Sequence, residues 1–430
     1  MHGRALYLLP ALFAVAAAGS LTACGGVGSL PGSAATAASQ ASHGPPPGKL
    51  FSWLQPGIDS THAADNTAEK KLKKSNVAKL KEAWSFATGA QIGNPLVTDG
   101  NTAFVDSGDG YLYAVNVATG TQKWRFETYW GDAWASSPAI GGKLVYVPCL
   151  VGGNTQQNGL CALDESSGKL KWSYYDDCNC LPPSAVEEGP VVSGSTVVLG
   201  YYDRNVYLNY TMVALDSSTG AVLWQVLAGS KSPYGYGLAN STPAIDGGNV
   251  FAGTSAGICS YQLANGGVNW CSGPDDGGTA PAVSKGVVYV NTFSHGFYAL
   301  NESTGAQIWQ YTPQAGNGGG YDDPPAVANG TVYFSGIGFN ANLYALNASN
   351  GTLLYDTSGD GAGAETYSSP SVANGVVYTA CSAGLCAFNA SNGSLLYSSN
   401  GSGSSQGTPA IASGTVYTIC GSNDACAYGL

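Results

Sequence analysis

The 430-residue chain has few charged residues, since Asp, Glu, Lys and Arg make up 10% of it against about 25% in average soluble domains. This scarcity excludes a charge-rich disordered chain and a long coiled coil. Basic residues number 16 and acidic residues 27, and the net charge of −11 disfavours a nucleic acid as partner. Methionine is almost missing (2 residues), whereas 61 glycines, 21 prolines and 26 tyrosines are typical of many turns between short strands.

The N-terminal apolar run is too short to cross a membrane. It extends over about 14 residues, from Ala5 to Ala18, where a bilayer needs about 20. It follows Arg4 and precedes Leu21-Thr22-Ala23-Cys24, an order that is typical of a secretory signal. The Leu-Thr-Ala-Cys box resembles the bacterial lipoprotein signal, which implies that Cys24 is the mature N terminus and carries acyl chains. Ordinary secretion, with Cys24 removed, is the alternative.

Three regions follow from this signal: a lipoprotein signal peptide at 1–23, a tether at 24–48 and a folded domain at 49–430. The tether consists of small residues and proline, and it cannot bury enough apolar surface to fold. The stretch from Glu69 to Lys81 contains six lysines, which we interpret as a solvated lead-in to the domain. Contact of these lysines with an anionic surface is the alternative.

One pattern recurs along the chain: Ala-x-(Asp/Asn)-x-x-(Thr/Ser/Asn)-Gly-x-x-x-(Trp/Tyr). Its period of about 45 residues is close to the blade length of β-propellers. The motif places a large aromatic ring where it can pack between neighbouring blades. These blade-docking residues are predicted to be Trp84, Trp124, Trp172, Trp224, Trp270, Trp309, Tyr355 and Tyr397.

Each repeat predicts four short strands, the first of which follows a proline. Eight such prolines occur, from Pro95 to Pro409, but no fourth strand follows the last one. The unmatched fourth strand lies at the other end of the domain, around Trp84. The sequence therefore predicts an all-β, eight-bladed propeller of four-stranded antiparallel blades, with the N-terminal strand completing the last blade and removing two free edges.

The repeat resembles the tryptophan-docking motif of the pyrroloquinoline-quinone (PQQ) repeat propeller superfamily. The resemblance covers about residues 50 to 430, and the leader with Trp53, Gly57 and Asn76-Val-Ala-Lys-Leu80 is similar to that of the quinoproteins. The superfamily includes quinoprotein alcohol dehydrogenases and the lipoprotein scaffold of outer-membrane protein assembly. The resemblance therefore implies the fold but leaves enzyme and scaffold as alternatives.

Ten cysteines remain after Cys24, an even number that favours disulfides in an exported chain. Their places in the propeller predict local pairs. The predicted pairs are Cys149–Cys161, Cys259–Cys271, Cys381–Cys386, Cys420–Cys426 and Cys178–Cys180. The last is either a strained small loop or a reactive redox or metal-binding pair.

The enzyme alternative makes demands on particular residues. The resemblance implies a quinone stacked on a disulfide of two adjacent cysteines, with Ca²⁺ held by Glu, Asn and Asp beside a catalytic Asp. No two cysteines are adjacent here, and only Arg125 and Arg204 could pair with the quinone carboxylates in the domain. The sequence therefore disfavours an enzyme; PQQ and Ca²⁺ would be the cofactors of that alternative, a dehydrogenase of alcohols or sugars.

The segments before the strand-opening prolines predict a ligand-binding mouth, because inter-blade connections line one end of a propeller channel. Carboxylates and aromatic side chains occur together there, a combination suited to a cation such as Ca²⁺, a sugar or a peptide. The predicted mouth residues are Asp132, Trp134, Glu187, Glu188, Tyr236, Asp275, Asp276, Tyr321, Asp322, Asp323, Glu365 and Tyr367. Solvated loops, acidic like the rest of the chain, are the alternative interpretation.

These observations favour a lipid-anchored, extracytoplasmic propeller that binds or scaffolds envelope proteins or surface ligands. Self-association is a further expectation, because the surface is rich in Asn, Ser, Thr and Tyr and poor in charge. The alternative is a PQQ- and Ca²⁺-dependent quinoprotein dehydrogenase. The sequence does not distinguish a cell membrane from an outer membrane as the site of the anchor.

Overall fold

Thirty-two strands and one 3₁₀ turn (Val77–Lys79) make up the regular structure in the part of the chain that is described by the computed structural model. The described residues are 52, 54–55, 57–59, 61–92, 95–128, 137–151, 157–175, 189–203, 209–230, 242–254, 256–273, 280–292, 296–312, 324–336, 342–358, 366, 368–399 and 407–430. They belong to the compact unit at 40–430 and contain no helix that is long and apolar enough to cross a bilayer.

The strands form eight separate four-stranded antiparallel sheets, the blades of a propeller. Blades 1 to 4 contain β2 (Val97–Asp99), β3 (Thr102–Ser107), β4 (Tyr111–Asn116), β5 (Gln122–Glu127); β6 (Ala139–Gly141), β7 (Leu144–Val151), β8 (Gln157–Asp164), β9 (Leu170–Tyr175); β10 (Val191–Ser193), β11 (Thr196–Asp203), β12 (Asn209–Asp216), β13 (Val222–Ser230); and β14 (Ala244–Asp246), β15 (Asn249–Thr254), β16 (Gly257–Gln262), β17 (Val268–Ser272).

Blades 5 to 8 continue the same order along the chain. They contain β18 (Ala282–Ser284), β19 (Val287–Thr292), β20 (Gly296–Asn301), β21 (Gln307–Tyr311); β22 (Ala326–Ala328), β23 (Thr331–Ser335), β24 (Leu343–Asn347), β25 (Leu353–Asp356); β26 (Ser371–Ala373), β27 (Val376–Cys381), β28 (Gly384–Asn389), β29 (Leu395–Ser398); and β30 (Ala410–Ala412), β31 (Thr415–Cys420), β32 (Asp424–Gly429) together with β1 (Lys81–Ala87).

The first strands of successive blades contact each other around a closed circle, and blade 8 contacts blade 1. Blade 8 has the order β1-β32-β31-β30, and β1 pairs antiparallel with β32 from Lys81 opposite Gly429 to Ala87 opposite Asp424. The predicted eight-bladed ring and its closure by the N-terminal strand are therefore confirmed.

Burial along each blade follows from its place between two neighbours. The third strand of blade 1, β4, is buried at Leu112, Tyr113, Ala114 and Val115, because both of its faces pack against other blades. The fourth strand, β5, alternates between exposed and partly buried side chains because it forms the outer rim. This is why the inner strands have continuous apolar runs whereas the outer strands are mixed.

Each docking tryptophan makes the same contact with the next blade. The indole N–H of Trp124 donates to the carbonyl of Glu165 (3.1 Å), and that of Trp309 donates to the carbonyl of Ala348 (2.9 Å). The ring lies on the glycine of the next blade's third turn, where a Cβ on Gly168 would stand 2.6 Å from Trp124 Cε3. The same pair of contacts joins Trp84 to Val117 and Gly120, Trp172 to Ser217 and Gly220, Trp224 to Leu263 and Gly266, and Trp270 to Glu302 and Gly305.

The two tyrosines differ from each other in their partners. Tyr355 keeps the pattern, since its hydroxyl donates to the carbonyl of Ala390 (3.1 Å) and its ring lies on Gly393. Tyr397 instead meets the ring of Tyr428, with 6.4 Å between centroids. Blade 8 is built from both ends of the domain, so it has no turn between its third and fourth strands and offers no glycine there.

Four of the predicted cysteine pairs form disulfides in the structure: Cys149–Cys161, Cys259–Cys271, Cys381–Cys386 and Cys420–Cys426. All four join neighbouring strands within one blade. The Cys178–Cys180 pair lies outside the described residues.

Replacing Gly351 with alanine should weaken the joint between blades 5 and 6. A Cβ there would stand 2.6 Å from Trp309 Cε3, and the backbone has a φ of +71°. The control is Gly330→Ala, which has a φ of +80° but no atom within 4 Å of the new Cβ. We expect the control to cost about 1 kcal/mol for its backbone alone and Gly351→Ala to cost about 2 kcal/mol more for the steric clash. Urea unfolding of both variants tests this, and equal costs would contradict the tight ring–glycine contact.

Candidate functional site

The central channel is bordered by the first strands of the blades, whose inner edges have no neighbouring strand of their own blade. Such an edge presents backbone N–H and C=O groups that need partners. The chain segment that precedes β1, residues 52–80, supplies many of them; we call it the lead-in.

The first part of the lead-in pairs with blades 1 to 3. The Ser52 hydroxyl donates to the carboxylate of Asp99 (2.6 Å), and the N–H of Ile140 donates to the carbonyl of Leu54 (2.8 Å). The side-chain amide of Gln55 binds both backbone groups of Val192, as a neighbouring strand would. Its oxygen accepts the Val192 N–H (2.9 Å), and its nitrogen donates to the Val192 carbonyl (3.3 Å).

The next part pairs with blades 5 to 8 in chain order. The carbonyls of Thr61, Ala63 and Ala64 accept the N–H groups of Val283, Val327 and Val372, each at 2.8 Å. The Asn66 N–H donates to the Val372 carbonyl (2.8 Å), and its side-chain amide donates to the carbonyl of Ile411 (2.6 Å). The lead-in therefore follows the inner rim of the ring once around, with backbone angles in the left-handed region at Ile58, His62 and Ala64.

The lead-in lies toward one end of the channel. Each first strand begins after an inter-blade connection and ends at the turn into the second strand. The connections and these first turns therefore lie at opposite ends of the channel. The carboxylate of Glu69 accepts the N–H of Gly414, and the Asn374 amide donates to the Glu69 carbonyl; Gly414 and Asn374 both lie in first turns. The lead-in thus occupies the first-turn end, which we call the lead-in face, and the connections lie at the other end, the loop face.

His62 is fully buried in the lead-in, and within the described part of the chain neither of its ring nitrogens has a hydrogen-bond partner. Burial lowers the pKa of His62 to about 4, and the backbone of Pro281 opposes this only in part. The imidazole is therefore neutral at physiological pH, and protonation would place an unpaired charge inside the ring.

Several carboxylates of the lead-in face have raised pKa values. Burial raises the pKa of Asp59 against its hydrogen bonds from Thr61, and burial raises the pKa of Asp65 to about 6 against the nearby charge of Lys285. Burial and the charge of Asp246 raise the pKa of Glu302. Within the described ranges, no group of three or more His, Cys, Asp or Glu side chains could hold a metal ion.

All twelve predicted mouth residues, from Asp132 to Tyr367, lie outside the described residues, so the mouth remains a prediction. Two buried oxygens at the loop face are described. Oδ1 of Asp106, near the end of β3, and Oγ1 of Thr128, which follows β5, have no hydrogen-bond partner. Burial raises the pKa of Asp106 well above its usual value, and the charge of Asp109 adds to this. Burial therefore disfavours the charged form of Asp106.

The described residues do not fit a quinone. Arg125 lies on the outer strand β5, where its guanidinium is 4.4 Å from the ring centroid of Tyr111, far from the inner strands. Arg204 lies outside the described residues. Each of the eight described cysteines is bonded to a cysteine at least five residues away, so no vicinal disulfide is available as a stacking platform.

Sequence reasoning missed the role of the lead-in in the channel. Gln55, His62, Asn66 and Glu69 are its main polar members, and all four are buried. Three of the four bond backbone atoms of the ring, which no side-chain pattern along the blades reveals. The only available signal was the set of polar residues upstream of β1 that belongs to no repeat.

Lowering the pH should weaken the fold through His62. Its pKa is about 4 in the folded protein against 6.5 for a free side chain, so the unfolded chain takes up the proton first as the pH falls. The stability is intact above pH 6.5 and is lost progressively toward pH 4. Between pH 7.5 and 4.5 the wild type should lose about 2.5 kcal/mol more than His62→Asn. Urea unfolding at both pH values measures this, and the variant cancels the contributions of Asp59 and Asp65. An equal loss in both proteins would show that His62 accepts its proton freely.

Comparison with known proteins gives relatives of both functional classes. Tetrathionate hydrolase from Acidithiobacillus ferrooxidans is 26% identical over 268 residues, which is 59% of this chain and 51% of that protein. Outer membrane protein assembly factor BamB from Yersinia pestis is 29% identical over 213 residues, 45% of this chain and 50% of that protein. The chain spans about half the length of these relatives.

Among solved structures, a quinohemoprotein alcohol dehydrogenase from Pseudomonas putida HK5 superposes with a TM-score of 0.73 at 14% identity, covering 89% of this chain and 80% of the other. At this identity the likeness shows the fold alone. The family model described as outer membrane protein assembly factor BamB matches residues 39–153, 81–311 and 297–430. Because these matches cover nearly the whole domain, the chain belongs to the family of the outer membrane protein assembly factor BamB.

Proposed function

We propose that the protein is a lipid-anchored, extracytoplasmic scaffold that binds other envelope proteins. Cys24 is the proposed attachment site for the lipid, and the acidic and aromatic mouth residues are the proposed ligand-facing set at the loop face. Membership of the BamB family supports a protein partner, since the Yersinia pestis relative is named as an assembly factor. The proposal is carried by the outer rim of the propeller.

The outer strand of blade 3, β13, is the longest fourth strand, with nine residues. It contains no charged residue, and it pairs only with β12 on its inner side. Val222, Leu223 and Leu227 are exposed on it, and Leu227 keeps 63% of its surface accessible. A long, uncharged edge with exposed apolar side chains is a template for an added strand, so it suits an extended segment of another protein.

Neighbouring blades extend this apolar rim. Exposed large apolar side chains occur on the outer strands of five consecutive blades, 2 to 6. They are Leu170, Tyr175, Val222, Leu223, Leu227, Val268, Ile308, Leu353 and Leu354. Blade 1 differs, since its outer strand carries Lys123, Arg125 and Glu127. The rim is thus divided into an apolar sector and a charged sector, and within the apolar sector the edge of β13 is the proposed protein-binding strand.

The second candidate function is PQQ-dependent oxidation, because several relatives are dehydrogenases, including methanol dehydrogenase subunit 1 from Methylorubrum extorquens. That relative is 25% identical over 41% of this chain and 30% of its own length. The position of Arg125 on the outer rim speaks against this function, since it removes one of the two domain arginines from the channel.

Charged substitutions on the β13 edge should reduce partner capture. In cells, the doubly substituted Leu223→Asp, Leu227→Asp protein should retain about one-tenth or less of the envelope proteins that copurify with the wild type, which corresponds to a loss of at least about 1.4 kcal/mol of binding. Both side chains are exposed, so stability should change by less than about 0.5 kcal/mol. Quantitative mass spectrometry after crosslinking measures the capture.

The matched control is Leu353→Asp, Leu354→Asp on β25, which introduces the same charges at two similarly exposed leucines of a four-residue outer strand. It should leave capture close to that of the wild type, because a four-residue edge with its own acid, Asp356, is a poor template. Equal losses in both variants, or no protein enriched by the wild type, would contradict the proposal.

Titration of the full chain with PQQ in the presence of Ca²⁺ should give no binding heat beyond dilution. The described residues offer neither a vicinal disulfide nor a channel arginine to the quinone carboxylates. Isothermal titration calorimetry, with Ca²⁺ alone as the blank, tests the expectation. Tight one-to-one binding would reinstate the dehydrogenase.

A further inference from the structure

The lead-in and the first residue of β1 carry a cluster of lysines that the proposed function does not use. Six lysines lie within twelve residues, and all are exposed. They are Lys70, Lys71, Lys73, Lys74, Lys79 and Lys81, and we call them the lysine patch. Among the described residues none of them forms an ion pair: the Lys70 and Lys71 ammonium groups donate to the backbone carbonyls of Thr67 and Ser413.

The patch is held against the ring by buried neighbours. Leu72, Val77 and Leu80 are buried in the core that joins blades 7, 8 and 1. The single acid of the stretch, Glu69, is buried, and its carboxylate accepts the N–H groups of Leu72 (3.1 Å) and Gly414 (2.8 Å). This carboxylate is engaged by backbone donors, and within the described residues it forms no ion pair with a lysine of the patch.

Other lysines of the lead-in face stand beside acids. Lys171 pairs with Asp164 at 3.3 Å, and the charge of Lys285 opposes the burial that raises the pKa of Asp65. The third turns nearest the patch, in blades 7 and 1, carry asparagine at the position that Asp164 occupies in blade 2. These are Asn389 and Asn116. The patch is thus a sector of uncompensated positive charge on a protein whose net charge is −11; Glu82 is the one acid that adjoins it in the chain.

We propose that the lysine patch docks on the anionic phospholipid surface of the membrane to which the protein is tethered. This inference rests on the proposed lipid at Cys24, because only 27 residues lie between Cys24 and Ser52. A flexible chain of that length spans about 30 Å on average, so a lipid there keeps the patch near the bilayer. Lysines near an anionic leaflet each add to membrane binding, and such a basic cluster is the usual second signal beside a lipid.

A membrane fits the patch better than an acidic protein segment does. The six exposed lysines are spread over an irregular stretch, the 3₁₀ turn and the start of β1, a spread that suits the many headgroups of a bilayer surface. Docking by this sector would rest blades 7 and 8 on the bilayer and turn the loop face and the apolar rim toward envelope partners. The proposal therefore also predicts how the scaffold is oriented.

The experiment measures vesicle binding by the full chain carrying Cys24→Ser, so that no acyl chain contributes. Vesicles of phosphatidylcholine mixed with phosphatidylglycerol should bind this protein, whereas phosphatidylcholine alone should not, and added salt should weaken the binding. Lys70→Gln, Lys73→Gln, Lys79→Gln in combination should weaken it on the order of 100-fold, since each lysine near an anionic surface contributes about five-fold.

The matched control is Lys143→Gln, Lys171→Gln, Lys285→Gln, which removes the same charge from three lysines in blades 2 and 5, outside the patch, and it should bind almost as the parent does. Equal weakening by both variants would show a mere effect of net charge and would overturn the proposal. Binding to polyglutamate without binding to anionic vesicles would also overturn it and assign the patch to an acidic protein. Capture of envelope proteins in detergent should be unchanged by the patch substitutions, so a failure of the scaffold function is seen separately.

Discussion

The ring depends on one repeated contact, an aromatic side chain lying on a glycine of the next blade. The contact has two parts that require each other: the indole N–H must reach a backbone carbonyl, and the ring must lie where any Cβ would clash. A single blade has two apolar faces and cannot bury them alone, so the contact acts by fixing how each blade meets the next. Seven of the eight joints have an aromatic ring on a glycine, Tyr397 meets Tyr428 at the eighth, and the pairing of β1 with β32 completes blade 8.

The faces of the blades need apolar cover, whereas the inner edge of the ring needs hydrogen-bond partners for its backbone groups. Eight first strands present unpaired backbone groups to the channel, and the lead-in satisfies groups in at least six blades with its own carbonyls, amides and N–H groups. The same segment then presents its lysines outward on the lead-in face. One stretch of chain therefore joins the inner rim, the closing strand β1 and the proposed membrane contact.

The fold was predictable because its determinants are side chains at a fixed spacing. The docking aromatics recur with the turn residues, and the unmatched strand around Trp84 indicated how the ring closes. The glycine before each docking position was interpreted only as a turn residue, whereas it also provides the bare surface for a ring, as Gly168 does for Trp124. A positive φ and a missing Cβ select the same amino acid, so sequence alone does not separate the two roles.

The candidate site was less predictable, for a physical reason. Gln55 and Asn66 bind backbone atoms of Val192 and Ile411, and backbone atoms are the same at every position of the sequence. His62 is distinguished by what it lacks, a partner for its ring nitrogens, which only the packed structure reveals. The twelve mouth residues were chosen from topology, and they lie outside the described residues.

The pairing of β1 with β32 sets an order of events during biosynthesis. The first strand of the propeller to leave the ribosome is hydrogen-bonded to the last, so a nascent chain that has not reached β32 lacks the partner strand of β1. The ring can close only after β32 has left the ribosome, so the propeller closes late in its own synthesis. A nascent chain stalled before residue 424 would expose the edge of β1 and the faces that Trp84 and Tyr428 should cover, which makes it a substrate for chaperones and proteases.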